Sequence, residues 1–196
     1  MKALVETVTH LLPFLSWETC IFNLIEKNRP SSVTFICKTL DHCPSNDLLK
    51  MIRIPVQTLL NLRSDELPVF SDSDLVVLPV HSDGLQWRNK TVEKYLKGGM
   101  NMFKIVIVAS MPNNTEDDVS FMSTLFNLMW ISGIVDGAVI LKNQSISFVY
   151  TYIPFRTADT CNDTSPVLIG HCDEVADSVF DATNKVRIPQ RVRFNP

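Results

Sequence analysis

Phe103–Leu141, FKIVIVASMPNNTEDDVSFMSTLFNLMWISGIVDGAVIL, is the stretch whose reading decides the fold. Phe103 to Ala109 is an almost unbroken apolar run, and such a run implies a strand buried on both faces, as in a parallel sheet. Asn113 to Asp118 is a polar loop whose acidic residues complement the positive end of a helix. The spacing predicts that helix from about Val119 to Ser132, with Gly133 as its stop. Val135 to Leu141 then reads as another buried strand. Strand, helix and strand in this order make one parallel crossover unit.

Working outward, Leu75–Val80 (LVVLPV) repeats the signal after a polar SDSD turn, and Ser32–Cys37 (SVTFIC) is a shorter buried strand. Ser45-Asn46-Asp47 is a capping cluster ahead of Leu48, Leu49, Met51 and Ile52, which predicts a helix start. Pro55 interrupts that pattern, and a helical turn is expected to resume through Leu62. Apolar residues at Leu4, Val5, Val8, Leu11, Leu12, Leu15, Ile21, Phe22, Leu24 and Ile25 predict helix from Met1 to about Lys27, broken or kinked at Pro13. Val92–Leu96 reads as a short helix ended by Gly98-Gly99. Towards the C-terminus, Lys142-Asn143-Gln144 turns the chain into a strand from Ser147 to Ile153. Pro154 ends its pairing, having no N–H to give. Val167-Leu168-Ile169 is a further short strand.

Helices alternating with continuous apolar strands predict a three-layer α/β sandwich with a mostly parallel sheet, ending in an antiparallel edge hairpin. Residues 1–170 are read as that domain. Residues 171–196 are read as a connector, polar apart from Val175, Val179 and Phe180 and closing on a basic run at Lys185, Arg187, Arg191 and Arg193.

The 196 residues are 45% hydrophobic and 20% charged, ordinary material for one folded domain. A formal net charge of -3 argues against nucleic acid as partner, because phosphate binding needs a basic face. No segment reaches the roughly 18 apolar residues of a membrane helix. The best, Phe121 to Val135, is interrupted by Ser123, Thr124, Asn127 and Ser132. Glu6, Thr9 and His10 break the apolar core that a signal peptide would need, so a signal peptide is not evident, and for an extracellular protein this chain is expected to be a fragment or an incomplete gene model.

Compartment is argued from asparagines and cysteines. Glycosylation sequons start at Asn89, Asn113, Asn143 and Asn162, each in or beside an expected loop. Five cysteines leave at least one outside any internal pairing. Cys37 sits in a core strand and is expected to be a buried thiol. Cys43, Cys161 and Cys172 lie in loop-like contexts and are the disulfide candidates, with connectivity open.

Sequence motifs that carry chemistry are scarce: there is no glycine-rich phosphate loop after a strand, no H-E-x-x-H and no G-x-S-x-G. His42-Cys43 and His171-Cys172 could in principle give a two-Cys, two-His zinc site, but adjacent ligands fit a tetrahedral ion poorly. Cys161 with His171 could suggest a thiol nucleophile; a disulfide half beside a surface histidine is the reading preferred. Asp72, Asp74, Asp117 and Asp118 fit caps and turns better than a cation site. Trp130 is expected to pack on the long helix. Trp87, with Asp83 and Arg88, falls in the loop after the Leu75–Val80 strand, where open α/β sheets place binding sites and a ligand or partner subunit could be touched; plain packing is the reading preferred. No catalytic, cofactor or metal residue is assigned, and no enzyme activity is expected.

One segment carries a resemblance. Tyr150-Thr151-Tyr152-Ile153-Pro154-Phe155, with Cys161-Asn162 after it and Pro166-Val167-Leu168-Ile169 beyond, resembles the aromatic-proline-cysteine segment of arthropod variant ionotropic receptors. These are the chemosensory branch of the ionotropic glutamate receptor family. In that family the segment closes the amino-terminal extracellular region, shortly before the ligand-binding clamshell. The rest of the chain matches only in the order of its elements.

The resemblance implies one lobe of a periplasmic-binding-protein-like domain, on the extracellular side of the plasma membrane. It implies a ligand-gated cation channel subunit that works in chemosensation with a co-receptor subunit, its pore and complete ligand-binding domain lying outside these residues. The agonist would be held downstream, so no ligand contact is carried over to this chain. The alternatives are a secreted α/β small-ligand-binding module without a channel, and a cytosolic α/β enzyme with an unseen motif.

Overall fold

The computed structural model describes residues 16–60, 74–80, 104–110, 115–134, 136–143, 146–154 and 163–172. In order these form α1 (Ser16–Asn28), β1 (Ser32–Cys37), a 3-10 turn (Leu40–His42), α2 (Asn46–Met51) and β2 (Val56–Leu60). There follow β3 (Asp74–Val80), β4 (Lys104–Ser110), α3 (Thr115–Ile131), β5 (Gly137–Asn143), β6 (Ile146–Thr151) and β7 (Val167–His171). All seven strands join one sheet in the order β2-β1-β3-β4-β5-β6-β7. The first five are parallel, and β6 and β7 continue the sheet antiparallel.

The apolar strands are continuous because both sheet faces are covered. In β3, Leu75 and Val77 face one core while Val76, Leu78 and Val80 face the other. In β4, Val106 and Val108 oppose Ile105, Ile107 and Ala109 in the same way. Each of these valines, leucines and isoleucines contributes about 1.5–3 kcal/mol by leaving water. The first face is covered by α1 and α2, the second by α3. The α/β sandwich is therefore three-layered, with its antiparallel strands at one edge.

The helices follow from the same bookkeeping of faces. On α1, Trp17, Cys20, Ile21, Leu24 and Ile25 fall on one stripe and are all buried. Glu18 in its first turn and Lys27 in its last oppose the helix dipole favourably. Arg29, at φ 41, closes it, its N–H donating to the Ile25 carbonyl at 2.9 Å. On α3, Phe121, Met122, Leu125, Phe126 and Met129 are the buried positions. Gly133, at φ 76, ends that helix. Its N–H donates to Trp130 O (3.0 Å) and that of Ile134 to Met129 O (2.9 Å), the paired bonds of a Schellman stop.

Residues Val56–Leu60, expected as helix, form β2 instead. β2 is the parallel edge strand beside β1, in register from Val33↔Val56 to Cys37↔Leu60. Only Val56 and Leu59 are even half-buried, so the segment shows little alternation of its own and takes its conformation from the ladder. At the other edge, β7 extends to His171 and passes the expected domain boundary at 170. It carries a bulge: Val149 pairs with Gly170 and Tyr150 with Leu168, leaving Ile169 as the extra residue and Gly170 at φ 150. The expected helices before Ser16 and at Val92–Leu96, and the connector beyond Cys172, lie outside the described residues.

Candidate functional site

Two features of the sheet mark where function can sit. One is the point between β1 and β3 where the chain's winding reverses. The crossover from β1 leads outward to β2, and the next strand in sequence, β3, lies on β1's other side. Open α/β sheets bind ligands beyond the carboxyl ends of the strands at such a point. Here the two strands part early. β1 and β3 are paired from Ser32↔Asp74 to Phe35↔Val77 and no further, while β3 stays paired with β4 as far as Val80↔Ala109. Pro79 lies beyond the last β1 partner and has no N–H with which to carry that pairing on.

The other feature is a pair of disulfides. Cys37, the last residue of β1, is bonded to Cys43 with Cα atoms 5.4 Å apart, closing a loop over the 3-10 turn at that same carboxyl end. Leu40 at the head of the turn is 74% exposed. Cys20 on α1 is bonded to Cys172, just after β7, across 152 positions of sequence and 4.7 Å between Cα atoms. Asn23 Nδ2 donates to the Cys172 carbonyl (3.3 Å), and Cys172 N–H to the Ser147 carbonyl (3.3 Å). α1 is thus clasped to the β7 edge of the sheet.

Neither link is fully legible from the cysteine spacing. Cys37 is a disulfide partner and not the buried thiol expected, because the strand ends there and the chain turns straight back. Cys20 was no candidate, yet its place on the α1 stripe with Trp17, Ile21 and Leu24 was a usable signal that its sulfur faces inward. Cys161 lies outside the described residues.

The remaining polar groups mostly hold the fold. Glu18, 1% exposed, accepts from the Ser45 N–H (2.5 Å) and the Ser45 hydroxyl (3.2 Å). Ser45 caps α2, its Oγ accepting from Leu48 N–H at 3.2 Å, so one carboxylate locks the start of α1 to the start of α2. Asp74 accepts from the Ser31 and Ser32 hydroxyls, 2.8 Å each, and so ties β1 to β3 at their amino ends. Tyr152 is buried against Phe126, ring centroids 5.0 Å apart, and its hydroxyl donates to the Ile134 carbonyl. Burial, with a smaller push from the Asp136 carboxylate, raises its phenol well above the usual range and keeps it neutral.

The other sequence candidates distribute as follows. Cys43 and Cys172 are each consumed in a different disulfide, so neither has a thiolate to offer zinc. His171 lies exposed on β7 with its ring 4.8 Å from Phe148. Among the described residues no group of three or more His, Cys, Asp or Glu could hold a metal ion. Asp117 and Asp118 belong to the first turn of α3, and Trp130 is half-buried on that helix against its core. Of the sequons, Asn143 is the last residue of β5, paired with Ile146 at the hairpin end. Asn89, Asn113 and Asn162 lie outside the described residues, as do Asp72, Asp83, Trp87 and Arg88. No described helix is long and apolar enough to cross a membrane.

Comparison with protein-family models, with curated proteins and with solved structures finds no match.

Proposed function

We propose that this chain is the amino-terminal extracellular domain of a chemosensory ionotropic receptor, a subunit of a ligand-gated cation channel that assembles with a co-receptor subunit. The extracellular part of the reading is carried by the Cys20–Cys172 link. A disulfide that joins the first described helix to the residue after the last described strand belongs with an oxidising compartment, where such bonds form and persist. The receptor part rests on the likeness of Tyr150–Phe155 and the Cys161 segment to that family. Tyr150 and Thr151 end β6, Pro154 follows, and Val167 starts β7, so the segment spans the junction of the two antiparallel strands. The domain acts through assembly and delivery of the subunit, while agonist and ions are handled by other parts of it.

A second reading, a secreted α/β module that binds a small ligand without a channel, is favoured by the early parting of β1 and β3. The carboxyl ends of strands at such a reversal serve a ligand with or without a pore attached. Expression of the complete subunit with its co-receptor separates the two. The receptor reading expects ligand-evoked cation current, and expects deletion of residues 1–196 to lower surface delivery while leaving ion selectivity as it was. Unchanged surface expression with altered selectivity would overturn it.

A further inference from the structure

We propose that β2 is a docking edge for a second copy of this chain: two β2 strands pair antiparallel about a two-fold axis at Thr58 and join the two sheets into one. The backbone of β2 sets the register. Val33 N–H donates to the Pro55 carbonyl (2.9 Å), and β1 runs parallel to β2 with Val33 beside Val56. Successive residues of a parallel ladder turn their backbone groups to alternate sides, so Pro55, Gln57 and Leu59 face β1. Val56, Thr58 and Leu60 present their N–H and C=O groups away from it. Among the described residues no strand lies on that side, because β2 ends the sheet.

Open edges are normally blunted by charge, proline, a bulge or a covering segment. β7, at the opposite edge, carries its bulge at Ile169. β2 has no charge, proline or bulge within it, and Gln57, Thr58 and Leu60 are exposed. The strand also fits itself when reversed. With Thr58 opposite its own copy, Val56 falls opposite the second copy's Leu60, and Leu60 opposite its Val56. All three positions are then hydrogen-bonded pairs, so every outward N–H and C=O among them is satisfied. Alternation puts Val56, Thr58 and Leu60 on one face, where Val56 packs on the core under α1 and α2. Leu60, 46% exposed, gains an apolar neighbour there. An uncharged strand meets its copy without setting like charges opposite each other, which would oppose the pairing. Five residues a side bury less than the roughly 1,200 Å² of a stable interface, so the dimer is weak and forms at high local concentration.

The test is sedimentation velocity on the folded, secreted chain. Between about 1 and 100 μM it should pass from monomer towards dimer. Thr58→Lys and Thr58→Glu, at an exposed side chain, each set like charges face to face across the axis. Each should weaken association about tenfold while leaving the unfolding midpoint where it was. An equal mixture of the two variants should recover the dimer, because only the residue on the axis meets its own copy. A native chain that stays monomeric at about 100 μM, a dimer that persists in Thr58→Lys, or a mixture that does not recover would overturn the proposal. The inference uses the β2 edge alone, so any of these results leaves the receptor reading standing; that reading falls instead on the absence of Cys20–Cys172 or on the current measurement.

Discussion

The interior and the edges of the sheet are held together by different physics. β3 and β4 lie between neighbours on both sides and between packed layers on both faces, and nearly every side chain they own is buried. β2 and β7 have one neighbour each, and Gln57, Thr58, Leu60, Leu168 and His171 are exposed along them. The interior is stabilised by burial that is local to each strand. The β7 edge is stabilised by a covalent link to α1, far away in sequence. A sheet with a weak last strand gains most from a link placed just beyond it.

That contrast breaks most visibly at the clasp. Replacing Cys20 and Cys172 together by serine should cost up to about 5 kcal/mol, since the link closes nearly the whole described chain. Chemical denaturation of the double variant measures it. A loss no greater than that from removing Cys37–Cys43, about 2 kcal/mol for so short a loop, would mean that the far edge holds without help.

The interior can be probed against the edge by one kind of truncation at two places. Phe35→Ala in β1, where the ring is fully buried, should cost about 4 kcal/mol. Leu168→Ala in β7, where the side chain is 53% exposed, should change stability by no more than about 0.5 kcal/mol. Equal midpoint shifts would erase the distinction.

The same distinction explains what could be read in advance. Ser32–Cys37, Leu75–Val80 and the Phe103–Leu141 unit were legible because burial on two faces writes itself into a few consecutive residues. The Ser45 cap and the Gly133 stop were legible because each is local chemistry. β2 was not. Val56-Gln57-Thr58-Leu59-Leu60 is a strand because β1 offers it a ladder, and Ile52, Leu59 and Leu60 suit a helical spacing as well. The Cys20–Cys172 pairing was not legible either, because the meeting of the two sulfurs depends on all the strands between them. The parting of β1 and β3 needed the strand order, which no single segment carries.

A smaller effect tests the seam where interior becomes edge. A Cβ on Gly137 would stand 2.5 Å from Met129 Sδ and 3.1 Å from Tyr152 Cε1. Met129 can shift, but the Tyr152 ring is held by its hydrogen bond, so Gly137→Ala should cost about 2 kcal/mol by overpacking. Thermal unfolding measures it. A neutral result would mean that α3 rides loosely over β5.

Smallest is a pH effect at the same place. Tyr152 titrates above its unfolded value, so its contribution is complete below about pH 10 and is lost as pH rises from there towards the folded value. Alkaline titration of stability should show this loss in the native protein, and Tyr152→Phe should remove its share of it. An identical alkaline slope in the variant would place the loss elsewhere.

The central proposal is an extracellular α/β domain in which α1 is covalently clasped to Cys172, the residue after β7. Peptide mass mapping of the chain, secreted behind a heterologous signal and digested without reductant, tests it most directly. The account predicts one linked pair of peptides carrying Cys20 and Cys172 and a second link between Cys37 and Cys43. A folded, secreted protein in which Cys20 and Cys172 are both free thiols would contradict it.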